Sequence, residues 1–284
     1  MQTILKSTKR QVVIDIEKPF VIIGEKINPT GRKKLAAALE NRDYDYIRDL
    51  AVRQVAAGAD VLDINVGAPG IDEIAVLSEV ARILAEQVEA PLCLDSANRE
   101  ALSAALAVLP GKPLINSVNG EGASLEKILP VVKEYGAAVI GLTMDEDGIP
   151  ATAERRLAVA HKILDRAVQV GIRTEDIIID PLVLTVGADS KAAQITLKAV
   201  ELIRKELGVN INLGASNVSF GLPDRHTLNQ SFLALAMGAG ATCAITDPIK
   251  LTASIRAADL MLGRDDRGRR YLTHWRSQQV TQAA

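Results

Sequence analysis

The run Val209-Asn-Ile-Asn-Leu213, leading straight into Gly214-Ala-Ser-Asn-Val-Ser-Phe-Gly-Leu-Pro-Asp-Arg225, decides how the rest of the chain is read. It is a short apolar stretch that stops in a polar loop. Other apolar runs stop in the same manner, at Asp63-Ile-Asn65, Asp95-Ser96, Asn116-Ser117, Asp180-Pro181 and Asp247-Pro248. Short strands that each end in Asp or Asn predict a barrel whose carboxylates and amides converge on one mouth, where the function of such barrels sits.

Outward from that stretch the chain alternates. Phe20–Gly24 reads as a strand that continues into Glu25-Lys-Ile-Asn-Pro-Thr-Gly31. Ile47, Leu50, Ala51 and Val55 fall on one face of a helix over 44–57, with Gly58 as its C-terminal cap. Strands are then expected at 59–66, 91–95, 113–116, 138–143, 177–180, 209–213 and 243–246. Helices are expected at 73–87, 99–108, 125–135, 153–170, 192–207, 226–237 and 251–262. Gly136, Gly171 and Gly208 close three of these helices. Eight strands, each followed by a helix, and each apolar along most of its length as a doubly covered strand must be, predict an α/β fold: a (β/α)8 TIM barrel. A doubly wound sheet is the rival architecture, but no G-x-G-x-x-G follows the first strand. Residues 1–284 read as one domain. Residues 1–19 form an N-terminal extension in which Gln11–Ile16 is a strand or hairpin closing the barrel bottom. Residues 264–284 form a charged, then polar, tail or terminal helix.

The bulk numbers are compatible with that size. The chain has 284 residues, 48% hydrophobic, with a formal net charge of -2 and only 3% aromatic residues. Nucleic acid is not an expected partner, since phosphate binding calls for a basic footprint and single strands for stacking rings. Two cysteines and three histidines are too few for a disulfide framework or a Cys/His zinc site. Cys93 and Cys243 sit in apolar runs and read as buried small hydrophobes. The N-terminus carries no long apolar segment and no run nears 18 apolar residues, so a cytoplasmic protein without a membrane span is expected.

The strand ends supply Asn28, Asp63, Asn65, Asp95, Asn116, Asn119, Asp145, Asp180, Asn217 and Asp247. Asp95 shares strand parity with Cys93, and Asp247 with Cys243, which aims both at the barrel interior. His161 and His226 fall in helices and His274 in the tail, so neither a His base nor a His metal ligand is expected. No Lys ends the sixth strand, which argues against a Schiff-base aldolase. A mouth of Asp and Asn suits a neutral, flat heterocycle with several N–H donors and a carbonyl, such as the guanidine-like edge of a pterin. The same residues could instead cap the next helices, or hold a divalent cation.

In order along the chain, Gly24-Glu-Lys-Ile-Asn28, Leu62-Asp-Ile-Asn-Val-Gly67, Leu92-Cys-Leu-Asp-Ser96, Ile115-Asn-Ser117, Ile140-Gly-Leu-Thr-Met144, Gly148-Ile-Pro150, Ile179-Asp-Pro-Leu182 and Ser216-Asn-Val-Ser219 resemble the methyltetrahydrofolate:corrinoid protein methyltransferases. These are pterin-binding, dihydropteroate-synthase-like barrels related to the folate module of cobalamin-dependent methionine synthase. The resemblance implies a homodimer that moves a methyl group between N5 of tetrahydrofolate and the cobalt of a corrinoid carried by a separate protein. By the same resemblance Asp95, Asn116 and Asp180 hold the pterin and Asn217 reaches N5, with Asn217 and Asp180 serving catalysis. Arg225 lies near the pterin, and Asp63 and Asn65 lie behind the ring. Phe220 departs from the pattern, standing where some members place a Gln that touches folate. Two other readings stay open: a dihydropteroate synthase-like enzyme, and a non-catalytic folate-binding subunit of a corrinoid methyltransfer complex. No Asp-x-His-x-x-Gly corrinoid signature is present, so the cobalt is expected to arrive on a partner.

Overall fold

The computed structural model describes residues 1–283. Strands β1 (Thr3–Lys6) and β2 (Gln11–Ile14) form an antiparallel hairpin. Eight further strands follow: β3 (Val21–Ile27), β4 (Val61–Ile64), β5 (Leu92–Asp95), β6 (Leu114–Asn119), β7 (Ala138–Leu142), β8 (Ile177–Asp180), β9 (Asn210–Ile211) and β10 (Cys243–Thr246). They pair in parallel in the order β10-β3-β4-β5-β6-β7-β8-β9. A parallel bridge between Gly214 and Ile245, with Thr242 N donating to Ile211 O at 3.0 Å, joins the two ends and makes a barrel.

The helices are α1 (Lys33–Glu40), α2 (Tyr44–Ala56), α3 (Glu73–Gln87), α4 (Arg99–Val108), α5 (Gly122–Tyr135), α6 (Ala153–Val170), α7 (Ala192–Leu207), α8 (Arg225–Ala239), α9 (Pro248–Met261) and α10 (Arg269–Ala283). Those called at 73–87, 99–108, 153–170 and 192–207 fall on the predicted residues. Helix α1 was not expected, although Leu35, Ala38 and Leu39 bury one face of it. The ninth strand is shorter than the predicted 209–213, because the chain leaves the ladder to enter a 3-10 turn over Ala215–Ser219.

Side-chain alternation sorts the barrel strands into two shells. Outward residues such as Ile22, Leu62, Leu94, Ile115 and Ile179 pack against the helices. Inward residues divide along the axis. At the N-terminal end Val21, Ile23, Val61, Cys93, Leu114, Ala138, Ile140, Ile178 and Cys243 form a dry core with Leu5, Val12 and Ile14 of the hairpin. The hairpin therefore plugs the bottom of the barrel. The fully buried Asn210 pins it, its Nδ2 donating to Thr3 Oγ1 at 2.9 Å and Ile14 O at 2.9 Å. Lys6 also exchanges both backbone bonds with Lys112, at 2.9 and 2.8 Å. Gly111 stands at this crossing, where an added Cβ would lie 2.3 Å from Lys6 O.

A buried ion cluster clamps the same end. Asp60, 3% exposed, accepts from Ile22 N at 3.1 Å, Arg256 Nη2 at 3.1 Å, Arg10 Nη2 at 2.9 Å and Arg270 Nη2 at 2.6 Å. Burial alone would raise the Asp60 pKa, but the surrounding guanidiniums hold it below the usual carboxylate value. This one carboxylate joins the loop after β1, strand β3, helix α9 and helix α10. Asp60→Ala strips the counter-charge from buried Arg256 and is expected to cost roughly 3–5 kcal/mol of unfolding free energy in urea titrations. A loss below about 1 kcal/mol, the scale of an exposed pair, would show that the cluster is not structural.

Candidate functional site

The inward positions that are apolar at the bottom become polar at the top of the same strands. Val21 and Ile23 are followed in parity by Glu25, Val61 by Asp63, Cys93 by Asp95, Leu114 by Asn116 and Ile178 by Asp180. A cavity of about 400 Å³ opens above the dry core and is lined by Asp63, Asp95, Asn116, Asp180 and Asn217, together with Glu25, Asn28 and Arg32. Six of the ten predicted strand-end residues thus converge on one space. Asn65 sits beside it, its Nδ2 donating to Asp95 Oδ2 at 3.0 Å and its Oδ1 accepting from Gly67 N at 2.8 Å.

The other strand-end residues act elsewhere. Asn119 accepts from Glu121 N at 2.9 Å and caps the turn into α5. Asp145 accepts from Asp147 N at 3.1 Å in a turn closed by Gly148. Asp247 caps α9 through Ile249 N at 3.1 Å and pairs with Lys26 on the flank of the mouth. Each is committed to a backbone N–H two residues further along the chain, and none of the three lines the main cavity. Arg225 also stands to one side. Its Nε donates to Ser219 Oγ at 3.1 Å and its Nη2 to Ser216 O at 2.7 Å, so it braces the turn that carries Asn217. Phe220, 68% exposed, lies at the rim with the Arg225 guanidinium 5.8 Å from its ring centroid.

Asn217 is the unpaired side-chain amide of this site. Its backbone is fixed by bonds from its N to Gly214 O at 3.2 Å and from Phe220 N to its O at 3.1 Å. Its side chain is exposed to the cavity and has no hydrogen-bond partner among the described residues. Gly214 leaves it room, since a Cβ there would stand 3.1 Å from Asn217 Nδ2.

The carboxylates, by contrast, are held. Asp180 Oδ1 accepts from Leu182 N at 2.8 Å and Oδ2 from Asn212 Nδ2 at 2.8 Å. Leu182 has φ +65°, a left-handed conformation unusual for its type. Arg156 clamps this turn. It is 1% exposed, with Nη1 donating to Pro181 O and Leu182 O at 2.9 Å and Nε to Pro150 O at 3.0 Å. Asn116 Nδ2 donates to Asp63 Oδ1 at 3.2 Å, and Glu25 Oε2 accepts from Ser216 Oγ at 2.7 Å. Glu25, Asn212 and Arg156 were not among the predicted site residues. Glu25 and Asn212 could have been found by parity, being polar at inward positions; Arg156 looks in sequence like any helix-surface charge.

Burial sets the protonation states. It pushes the Asp180 carboxyl up to about 6 against the pull of its hydrogen bonds. It raises Asp63 well above the ordinary value, with the neighbouring Asp95 charge adding to the effect, and it raises Asp95 too. The thiols beneath are driven up as well: Cys93 by burial and by Asp63, Cys243 by burial and by Asp180. Among the described residues no group of three or more His, Cys, Asp or Glu side chains is arranged to hold a metal ion. Likewise, no described helix is long and apolar enough to cross a membrane.

A closed parallel barrel with a cavity of acids and amides at the carboxyl ends of its strands has the (β/α)8 architecture, in which that end carries the active site. The family described as pterin binding enzymes matches residues 24–247, and the chain belongs to it. The chain is similar to the methylcorrinoid:tetrahydrofolate methyltransferase of Eubacterium limosum, at 33% identity over 92% of this chain and 98% of that protein. It is 34% identical over 81% of its length to methionine synthase of Mycobacterium tuberculosis, of which it spans 20%. Solved structures with the same fold include dihydropteroate synthase of Yersinia pestis in complex with a sulfonamide drug (TM-score 0.69, 17% identity, 93% of this chain and 99% of that one). Dihydropteroate synthase of Xanthomonas albilineans with 4-aminobenzoic acid is another (TM-score 0.67, 18% identity, 92% and 99%).

A carboxyl whose pKa is raised by folding binds its proton more readily in the folded chain than in the unfolded one. The stabilisation from that proton is lost as pH rises through the folded value and is complete below the unfolded value. For Asp180 the window runs from about 6 down to the ordinary 3.8. Asp63 and Asp95 act in the same direction. The melting temperature of the ligand-free protein is therefore expected to rise by roughly 2 °C or more between pH 8 and pH 5.5. A flat or falling trend in calorimetry would contradict the burial of these groups as carboxylates.

Proposed function

We propose that this protein transfers a methyl group between N5 of tetrahydrofolate and the cobalt of a corrinoid carried by a separate protein. The observation that carries the reading is Asn217: a side-chain amide without a partner, facing a cavity whose carboxylates are buried and held in place. The similarity to a methylcorrinoid:tetrahydrofolate methyltransferase along nearly the whole chain supports this reading over a dihydropteroate synthase-like one, for which the likeness is confined to the fold. The proposal includes the homodimeric state that the resemblance implies, and the single-domain organisation and cytoplasmic location read from the sequence.

In this reading Asp95, Asn116 and Asp180 hold the pterin edge. Ionised carboxylates accept its N–H groups and the amide both donates and accepts. Asp63 and Asn65 fix Asn116 and Asp95 from behind, and Arg225 keeps the Asn217 turn in register. When the methyl group leaves N5 for cobalt(I), the C–N electron pair stays on nitrogen and the cobalt pair forms the new bond. Nitrogen leaves poorly as an anion, so a donor that strengthens its hydrogen bond to N5 as the C–N bond stretches lowers the barrier. Asn217 can swing to do this without a charge of its own. In the reverse direction the same donor must release the N5 lone pair. No protein base is required, because reduced cobalt is itself the nucleophile; the barrel supplies orientation and a fixed dipole.

Methyl transfer from methyltetrahydrofolate to free cob(I)alamin, followed by absorbance, tests the proposal: a catalyst forms methylcobalamin, whereas a subunit that only binds folate does not. Asn217→Ala is expected to lower kcat/KM about 100-fold or more, the scale of losing one transition-state donor. An unchanged rate would remove Asn217 from the chemistry. Asp180→Asn exchanges one acceptor oxygen for a donor, and calorimetry should report roughly tenfold or greater weakening of folate binding. Equal affinity would place the pterin elsewhere.

A further inference from the structure

A second, smaller cavity of about 190 Å³ adjoins the mouth and shares Glu25, Arg32 and Ser216 with the main one. It lies over the ends of β3 and β10 and the start of α8, and its charge is opposite to that of the main cavity. Lys26, Arg32, Arg225 and Lys250 face it against the two carboxylates Glu25 and Asp247, with His226 beside them. Lys26 is committed to Asp247, Arg32 Nη1 donates to Lys26 O at 2.8 Å, and Arg225 is engaged with Ser216 and Ser219. Lys250 is exposed and its ammonium has no ionic partner among the described residues. Helices α8 and α9 both begin here, and their first turns add positive potential.

We infer that this side cavity receives the carboxylates of the glutamyl tail of a folate whose pterin occupies the main cavity. The inference rests on the reading of the main cavity given above. Folate is a pterin joined through an aminobenzoyl group to one or more glutamates, so its two ends make opposite demands. The pterin end offers N–H donors and suits Asp95 and Asp180. The glutamyl end is anionic and is repelled by that same floor. An outlet that leaves the floor and turns past shared Glu25 and Ser216 toward Lys250 meets both demands without reorganising either cavity. The geometry predicts that affinity grows with the number of glutamates, because each added residue brings another carboxylate within reach of the unpaired ammonium and the helix starts.

The test is calorimetric titration of the whole chain with 5-methyltetrahydrofolate bearing one and three glutamates, and with a tail-less 5-methyltetrahydropterin. At low ionic strength the triglutamate should bind about tenfold more tightly than the monoglutamate, as two further partly exposed charge contacts would give. The preference should collapse near 1 M salt, where screening acts within about 3 Å. Lys250→Glu should cut the triglutamate-to-monoglutamate ratio to below about twofold, and Lys250→Arg should keep it. A wild-type ratio near one, or a ratio that Lys250→Glu leaves intact, would overturn the inference. Failure of the tail-less pterin itself to bind would strike the main cavity's assignment, a result distinguishable from loss of the tail effect alone.

Discussion

Everything in this barrel follows from the two-residue alternation of its strands. Once closed, the barrel gives each strand one inward row, and that row must serve two environments. Its lower members, such as Ile23, Val61 and Ile178, are fully buried in one apolar cluster with the hairpin residues Leu5, Val12 and Ile14. Its upper members, one pleat further along, are Glu25, Asp63 and Asp180. A slip of one residue in β3, β4 or β8 would send both a hydrophobe and an acid to the wrong side. Fold and site are therefore specified by the same periodicity, and the dry lower half is what keeps the carboxylates above it short of solvent.

Holding carboxylates in such a place is unfavourable, and the surrounding structure offsets the cost. Asn65, Asn116 and Asn212 each give an amide hydrogen to an acid, and Leu182 gives a backbone N–H from a left-handed turn. Arg156, buried behind that turn, is tied by four donated bonds to Pro150, Pro181, Leu182 and Thr196. Its positive charge also opposes the upward push on Asp180. The acids are supported without being fully satisfied, so acceptor capacity remains for a ligand. The Asp60 cluster at the other end contrasts with this: there three guanidiniums saturate one carboxylate, and nothing is left over.

The architecture was legible because repetition reinforces weak signals. Helices α3, α4, α6 and α7 were bounded correctly from apolar spacing and glycine stops, and Gly171 and Gly208 do sit in the left-handed region, at φ +90° and +66°. Helix α1 escaped notice because it is short, opens with two lysines and has no side-chain cap at Arg32. In the site, Asp63, Asp95, Asn116, Asp180 and Asn217 were found because strand ends in such barrels meet in space. Asn119, Asp145 and Asp247 obeyed the same rule in sequence, but each accepts a backbone N–H two residues further along, a local bond that composition does not encode. Arg156 could not be found at all from periodicity. Whether a helical arginine faces solvent or a neighbouring loop depends on where the loop after β8 folds back.

The two thiols beneath the cavity have a chemical consequence of their own. A protein that hands on an alkyl group must not become its own substrate, and cysteine sulfur is the side-chain atom most open to alkylation once it carries charge. Cys93 and Cys243 are fully buried, and the nearby acids keep their protons in place. The barrel thus keeps both sulfurs buried in the core beneath the cavity and protonated, a form that is a poor nucleophile.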